Sequence, residues 1–124
     1  MVRHVISMAK GILVLDENLF SLSEELKKQK IRVLKVSPGA DDNVIKEHSL
    51  SGRIFVTNNS KDFVKDAKRL EFGIISTEGV KFKDAKYLAQ LISDEIIKNQ
   101  LWSKEKGFIL YLRDNKKTTF KELK

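Results

Sequence analysis

The sequence predicts an α/β domain in which a mainly parallel central sheet lies between two layers of helices. Apolar runs with the composition of buried strands alternate along the chain with segments of helical spacing. Strands that alternate with helices require right-handed crossovers and pair in parallel. After the last helix, two strand-like segments separated by a polar turn predict a hairpin at the carboxyl terminus. The expected architecture is a three-layer α/β/α fold with that closing hairpin.

The first half of the chain contains the most distinctive strand. Residues 12–16 (ILVLD) begin with an unbroken apolar run, which is typical of a strand covered on both faces. A helix is predicted over 21–30, because Ser21 and Glu24 have the spacing of a capping box. The alternating segment 31–36 is the second predicted strand.

The rest of the chain repeats this alternation. A short helix is predicted to begin at Asp41 or Asp42 and to end before Gly52, a residue that tolerates positive φ. The remaining strands are predicted at 53–57, 73–76, 108–112 and 118–123, and the remaining helices at 62–70 and 83–98. The last of these helices has apolar residues at helical spacing over its whole length.

Length and composition restrict the class of protein. The chain of 124 residues suits one domain, which we assign to 11–124 after a loosely ordered lead over 1–10. No apolar run approaches the roughly 20 residues of a membrane span, so we expect no membrane partner. Cysteine is absent, which excludes disulfides and thiolate metal sites, and we expect a cytoplasmic protein. The net charge of +7 favours a polyanion such as RNA as a partner. An equally good explanation is that the charged surface keeps the protein soluble.

Acidic residues follow three of the predicted strands. Asp16 and Glu17 come directly after the first strand, Asp42 begins the helix after the second, and Asp62 follows the third. The carboxyl ends of parallel strands meet at one edge of a sheet, where ligands bind in folds of this class. Carboxylates gathered there repel one another unless a cation lies between them, and hard oxygen ligands suit Mg²⁺ or Mn²⁺. This pattern predicts metal-dependent cleavage of a phosphodiester.

Each candidate residue also has a simpler explanation. Asp42 and Asp62 precede helices, where aspartate caps free N–H groups, and for either residue alone capping is the better explanation. Thr57 is a strand residue whose hydroxyl could orient an acidic neighbour, and Asn59 suits a tight turn. Lysines such as Lys61 and Lys65 contact phosphate or are simply solvated. Only the expected convergence of the acids favours a shared site.

Three short motifs resemble those of the small PIN-like proteins, compact relatives of the VapC-type toxin ribonucleases. They are LDEN at 15–18, D-x-x-I at 42–45, and RIFVT followed by KDF within 53–63. The family pattern is a strand ending in DEN, a helix beginning with Asp, and a strand running into T-x-D-x-D-F. The resemblance covers roughly 11–123. It implies a PIN-like fold and a Mg²⁺- or Mn²⁺-dependent endoribonuclease.

The same resemblance implies roles and partners. It assigns metal binding to Asp16, with Glu17 and Asn18 beside it, and an acidic role to Asp42 and to Asp62. Many such proteins are toxins encoded next to an antitoxin, so an antitoxin is an expected protein partner besides RNA, and a homodimer is compatible with this class.

The chain departs from the family pattern after its third strand. TNNSKDF has one residue more between Thr57 and Phe63 than T-x-D-x-D-F allows, and Asn59 is nearest the position of the first aspartate. An asparagine oxygen can ligate a metal but brings no charge. Since the affinity for a hard cation follows ligand charge, Mg²⁺ binding should be weaker than in the family.

Three functions therefore compete. The leading hypothesis is a metal-dependent ribonuclease in which Asp16, Asp42 and Asp62 hold the metal, Glu17 assists as acid or base, and Asn18 and Asn59 orient ligands. The second is a catalytically silent PIN-like module that binds RNA or a protein. The third is a phosphoacceptor domain of the response-regulator type. It requires an aspartate where the third strand ends in Thr57, Asn58 and Asn59, and ranks below the others.

Overall fold

The computed structural model describes residues 11–36, 39, 41, 43, 45, 49–81, 84–114 and 118–123. The lead predicted over 1–10, and Asp42, lie outside the described residues. The strands are β1 (Ile12–Leu15), β2 (Arg32–Lys35), β3 (Ile54–Thr57), β4 (Gly73–Ser76), β5 (Phe108–Tyr111) and β6 (Thr119–Glu122). The helices are α1 (Ser23–Lys28), α2 (Val64–Ala67) and α3 (Ala85–Lys98), with 3-10 helices at Glu17–Leu22, Ser60–Asp62 and Leu101–Ser103.

The strands form one six-stranded sheet in the order β2-β1-β3-β4-β5-β6. The first five strands are parallel, and β6 pairs antiparallel with β5. The predictions of an α/β fold, a mainly parallel sheet and a closing hairpin are confirmed. Successive strands are added on opposite sides of β1, because β2 pairs with one edge of β1 and β3 with the other. In such sheets the crevice for a ligand opens where the strand order reverses, here between β1 and β3.

Side chains of the central strands alternate between two apolar clusters, one on each face of the sheet. Leu13 and Leu15 of β1 belong to the cluster that α1 and α3 cover, whereas Val14 belongs to the cluster on the opposite face. Ile45 and Ala67 contribute to that second cluster. Because side chains along a strand point to opposite faces in turn, an unbroken apolar run requires cover on both faces. The arrangement is compatible with three layers.

The predicted capping box at the first helix is wrong. Ser21 lies inside the 3-10 helix Glu17–Leu22, and α1 begins only at Ser23. The residue before α1, Leu22, has helical φ and ψ of −75° and −16° and makes no side-chain capping bond. A capping serine needs an extended backbone, which a chain entering directly from a 3-10 helix does not provide.

The longest helix lies where it was predicted. It begins at Ala85, and the Asp84 side chain caps it by accepting a hydrogen bond of 3.1 Å from the backbone N–H of Tyr87. Its buried residues recur at helical spacing and contribute to the α1–α3 face of the core. Within the described part of the chain, no helix has the length and apolar character needed to cross a bilayer.

Candidate functional site

Asp16 lies immediately after β1 and is held by the neighbouring strand β3. Its backbone N–H donates to the carbonyl of Val56 at 3.1 Å, so the β1–β3 pairing continues to the end of the strand. Its Oδ2 accepts a hydrogen bond of 2.7 Å from Oγ1 of Thr57, and its Oδ1 accepts one of 2.9 Å from the backbone N–H of Glu17. Asp16 therefore caps the first 3-10 helix while its second oxygen is fixed by a buried hydroxyl.

The hydrogen bonds continue from Thr57 toward Asp62. The side-chain oxygen of Thr57, a fully buried residue, also accepts from the backbone N–H of Asn59 at 3.0 Å. The Nδ2 of Asn59 in turn donates to Oδ2 of Asp62 at 2.5 Å. Asp16, Thr57, Asn59 and Asp62 thus form one hydrogen-bonded row along the carboxyl edge of the sheet, which we call the acid row.

Helix capping does not account for Asp62. The predicted helix over 62–70 is instead a 3-10 helix at Ser60–Asp62 followed by the short α2. The residue before α2 is Phe63, and it makes no side-chain capping bond. The side chain of Asp62 is exposed and bonded to Asn59 instead.

Capping after the second strand involves Asp41, whose Oδ1 accepts from the backbone N–H of Asn43 at 3.1 Å. The backbone is helical at Asn43 and Ile45. Asp42 itself lies outside the described residues, so its role as a metal ligand stays a prediction.

The other predicted site residues lie around the acid row. Glu17 is exposed, and its Oε1 accepts a hydrogen bond of 3.2 Å from the backbone N–H of Gly39. Asn18 is also exposed and lines a pocket of about 260 Å³ together with Asn58 and Leu88. Lys61 and Lys65 are exposed on the chain that follows β3.

One acidic residue at this edge was missed by the sequence analysis. Glu78 follows β4, and its Oε1 accepts hydrogen bonds from Oγ of Ser60, from Oγ of Ser76 at 2.7 Å and from the backbone N–H of Ser60 at 3.3 Å. Burial acts to raise the pKa of this carboxyl, but the hydrogen bonds from both serines and the charge of Lys61 hold its pKa below the ordinary 4.5. The rule that singled out Asp16, an acid just past an apolar strand, also applies to Glu78.

We expect Glu78→Gln to lower the free energy of unfolding at pH 7 and to lower it by a smaller amount at pH 3. A carboxyl whose pKa is depressed in the folded state contributes stability above its unfolded pKa, and loses that contribution as pH falls through the folded pKa. Because Glu78 is exposed, the loss at pH 7 should be less than about 1 kcal/mol. Urea unfolding of both proteins at the two pH values measures the difference. Glu24→Gln, at an exposed residue of α1, is the control, and an equal loss at both pH values would contradict the expectation.

The carboxylate oxygens of the acid row are the kind of ligand atom that suits a hard cation. Each carboxylate oxygen of Asp16 accepts one of the hydrogen bonds described above, and a carboxylate oxygen has capacity for a second contact. Mg²⁺ needs only one or two protein carboxylates when water and substrate phosphate complete its octahedron. Within the described ranges, however, no group of three or more His, Asp or Glu side chains is close enough to hold a metal. A centre of three acids would require Asp42.

No family model, curated protein or solved structure matches the chain.

Proposed function

We propose that this chain is a PIN-like, Mg²⁺- or Mn²⁺-dependent endoribonuclease. The observation that carries the proposal is the hydrogen bond of 2.7 Å from Thr57 to Asp16. It joins the ends of β1 and β3, the two strands between which the sheet order reverses. An acid fixed by a buried hydroxyl at that point has the position and the rigidity that a metal ligand requires.

In this proposal the metal is held by Asp16, Asp42 and Asp62, and it supplies an activated water and stabilises charge on the phosphoryl oxygens. Thr57 holds the Asp16 carboxylate in one orientation, and Asn59 does the same for Asp62. Glu17 is exposed beside Asp16, where its carboxylate can accept or return a proton.

The charge of the chain supports an RNA substrate. The net charge of +7 attracts a polyanion, and Lys61 and Lys65 follow β3 next to Asp62, where they would contact phosphates. The proposal extends to an antitoxin that covers the acid row, because many proteins of the resembling family are encoded next to one. It also includes a homodimer, and a cytoplasmic location, which suits a chain without cysteine.

A divalent-ion titration with a mixed-sequence RNA tests the proposal. We expect internal cleavage that rises with Mg²⁺ or Mn²⁺ and stops when EDTA is added. Because the proposed site holds Mg²⁺ through few carboxylates, the rate should saturate with the concentration of the metal. RNA that stays intact at every concentration of both metals would reject the ribonuclease.

A second function, a catalytically silent module that binds RNA or a protein, is favoured by Asn59. This residue brings no charge, and its amide donates to Asp62 and so occupies one oxygen of a proposed ligand. A gel shift with the same RNA in EDTA distinguishes the two functions. Retention of RNA without cleavage at any metal concentration selects the silent module.

Asn59→Asp should increase the affinity of the site for Mg²⁺. The substitution restores an anion beside Asp62, and hard-cation affinity rises with ligand charge. We expect half-maximal cleavage at a several-fold lower Mg²⁺ concentration than in the wild type, measured in the same titration. Asn58→Asp, on the exposed neighbouring residue, adds an equal charge outside the acid row and is the control. An identical metal dependence in both variants would show that the charge at Asn59 does not limit the site.

A further inference from the structure

A second pocket lies at the opposite edge of the sheet, where the parallel strands begin. It has a volume of about 260 Å³ and lies between the starts of β1 and β3. We call it the amino-edge pocket and define it by Gly11, Gly52, Arg53, Trp102 and Lys106. None of these residues belongs to the acid row, so the proposed ribonuclease leaves this pocket without a role.

Two glycines shape the wall of the amino-edge pocket. A Cβ on Gly11 would lie 2.9 Å from Cε3 of Trp102, so the absence of a side chain lets the indole approach the backbone at the start of β1. Gly52 has a φ of +75°, and a Cβ there would meet no atom within 4 Å. The chain therefore turns beside open space at Gly52, and the half-buried Trp102 forms the apolar side of the pocket.

Among the described residues, the charged side chains that line the pocket are Arg53 and Lys106, and both are cations. Arg53 donates from one guanidinium nitrogen to the carbonyl of Ser49 at 2.9 Å, which fixes the group and leaves its other N–H donors for a ligand. Lys106 donates to the carbonyl of Lys104 at 3.3 Å. The ion pairs formed between described residues involve neither Arg53 nor Lys106.

Lys106 is half-buried, and its burial lowers the pKa of the ammonium group. Burying part of a cation that forms no ion pair with a described residue costs free energy, and a charged group perturbed in this way within a cleft marks a candidate binding site. An anion placed between Arg53 and Lys106 would offset that cost. A neighbouring pocket of about 300 Å³ shares Lys106 and is also lined by Glu105 and Glu122, so the anion is assigned to the amino-edge pocket, whose lining includes no carboxylate among the described residues.

We propose that the amino-edge pocket binds a phosphorylated nucleoside, with its phosphate on Arg53 and Lys106 and its base against Trp102. A phosphate monoester carries nearly two negative charges at neutral pH, which two cations neutralise. Arginine binds phosphate through paired N–H donors, and nucleobases stack on tryptophan with little dependence on sequence. A volume slightly below the usual range of roughly 300–1,000 Å³ restricts the ligand to about one nucleotide. A free mononucleotide and the phosphorylated end of an RNA chain share this chemistry.

Fluorescence of the full chain tests the proposal directly, because Trp102 is its one tryptophan. We expect AMP to quench the emission in a saturable way, with adenosine and inorganic phosphate each binding at least about tenfold more weakly, since each lacks one half of the recognised group. A short RNA with a 5′-phosphate is titrated beside AMP. Tighter binding of the RNA identifies a chain end as the ligand, and tighter binding of AMP identifies the free nucleotide.

Substitutions of the two cations test whether the quenching of Trp102 fluorescence reports binding in the amino-edge pocket. Lys106→Met and Arg53→Gln should each weaken AMP binding about tenfold or more, as expected for the loss of one charged hydrogen bond. Lys86→Met removes an exposed cation from α3 and should bind AMP like the wild type. Circular dichroism confirms that each variant is folded. Absence of quenching by millimolar AMP, or wild-type AMP affinity in the folded Lys106→Met and Arg53→Gln variants, would overturn the assignment. Asp16→Asn should bind AMP normally, which separates this pocket from the ribonuclease proposal.

Discussion

The Asp16→Asn variant is expected to lose RNA cleavage by a factor of at least about 100 in the presence of Mg²⁺ or Mn²⁺. Loss of an outer partner of a metal ligand typically costs 10–100-fold, so removing the charge of the ligand itself should cost more. The substitution keeps the size of the side chain, and an amide oxygen can still accept the hydrogen bond from Thr57. The fold should therefore persist. Initial cleavage rates at saturating metal measure the loss.

The control for this prediction is Asp94→Asn, which makes the same change of charge at an exposed position of α3. It should cleave at the wild-type rate. Thermal unfolding of both variants shows whether a lower rate reflects the chemistry or the fold. If folded Asp16→Asn cleaves as fast as the wild type, Asp16 is not a metal ligand.

Gly73→Val is expected to destabilise the protein by about 3 kcal/mol. Gly73 is buried at the start of β4 and is paired in register with Phe108 of β5. A Cβ at this position would overlap the ring of Phe108. Valine is favoured over glycine in strands, so strand propensity alone predicts the opposite sign. Urea unfolding of the wild type and the variant decides between the two effects.

Phe108→Leu supplies the matched test of that overlap. A smaller side chain at 108 opens space for the valine, so Gly73→Val with Phe108→Leu should cost clearly less than the sum of the single substitutions. Strictly additive costs would show that the ring of Phe108 is not what opposes a side chain at Gly73.

The strands were predictable because their signal is local. The central strands β1, β3, β4 and β5 are short, mainly apolar runs, and β4 lies over Gly73–Ser76 as the sequence predicts. The helical starts were less predictable, since they depend on contacts made after the chain folds. The 3-10 helix Glu17–Leu22 begins because the Asp16 side chain accepts from the N–H of Glu17, and this removes Ser21 from a capping position.

The candidate site was likewise predictable only in part. The position of Asp16 after an apolar strand is visible in the sequence, as is the threonine that ends the third strand. That the two side chains touch is not visible, because it requires β3 rather than β2 to lie on that side of Asp16 and to align with it. Glu78 was missed although it lies only two residues past β4, and its bonds to Ser60 and Ser76 become visible only when β3 and β4 are adjacent.

The amino-acid sequence alone determined the class of fold, the alternation of strands and helices, and the presence of acids just past apolar strands, since burial on two faces and turn chemistry act on neighbouring residues. The tertiary structure decided which strands are adjacent, and with them the Thr57–Asp16 bond, the Glu78 cluster and the amino-edge pocket. Strand order is set by long-range packing of two apolar clusters against one sheet. No local pattern of residues carries that information.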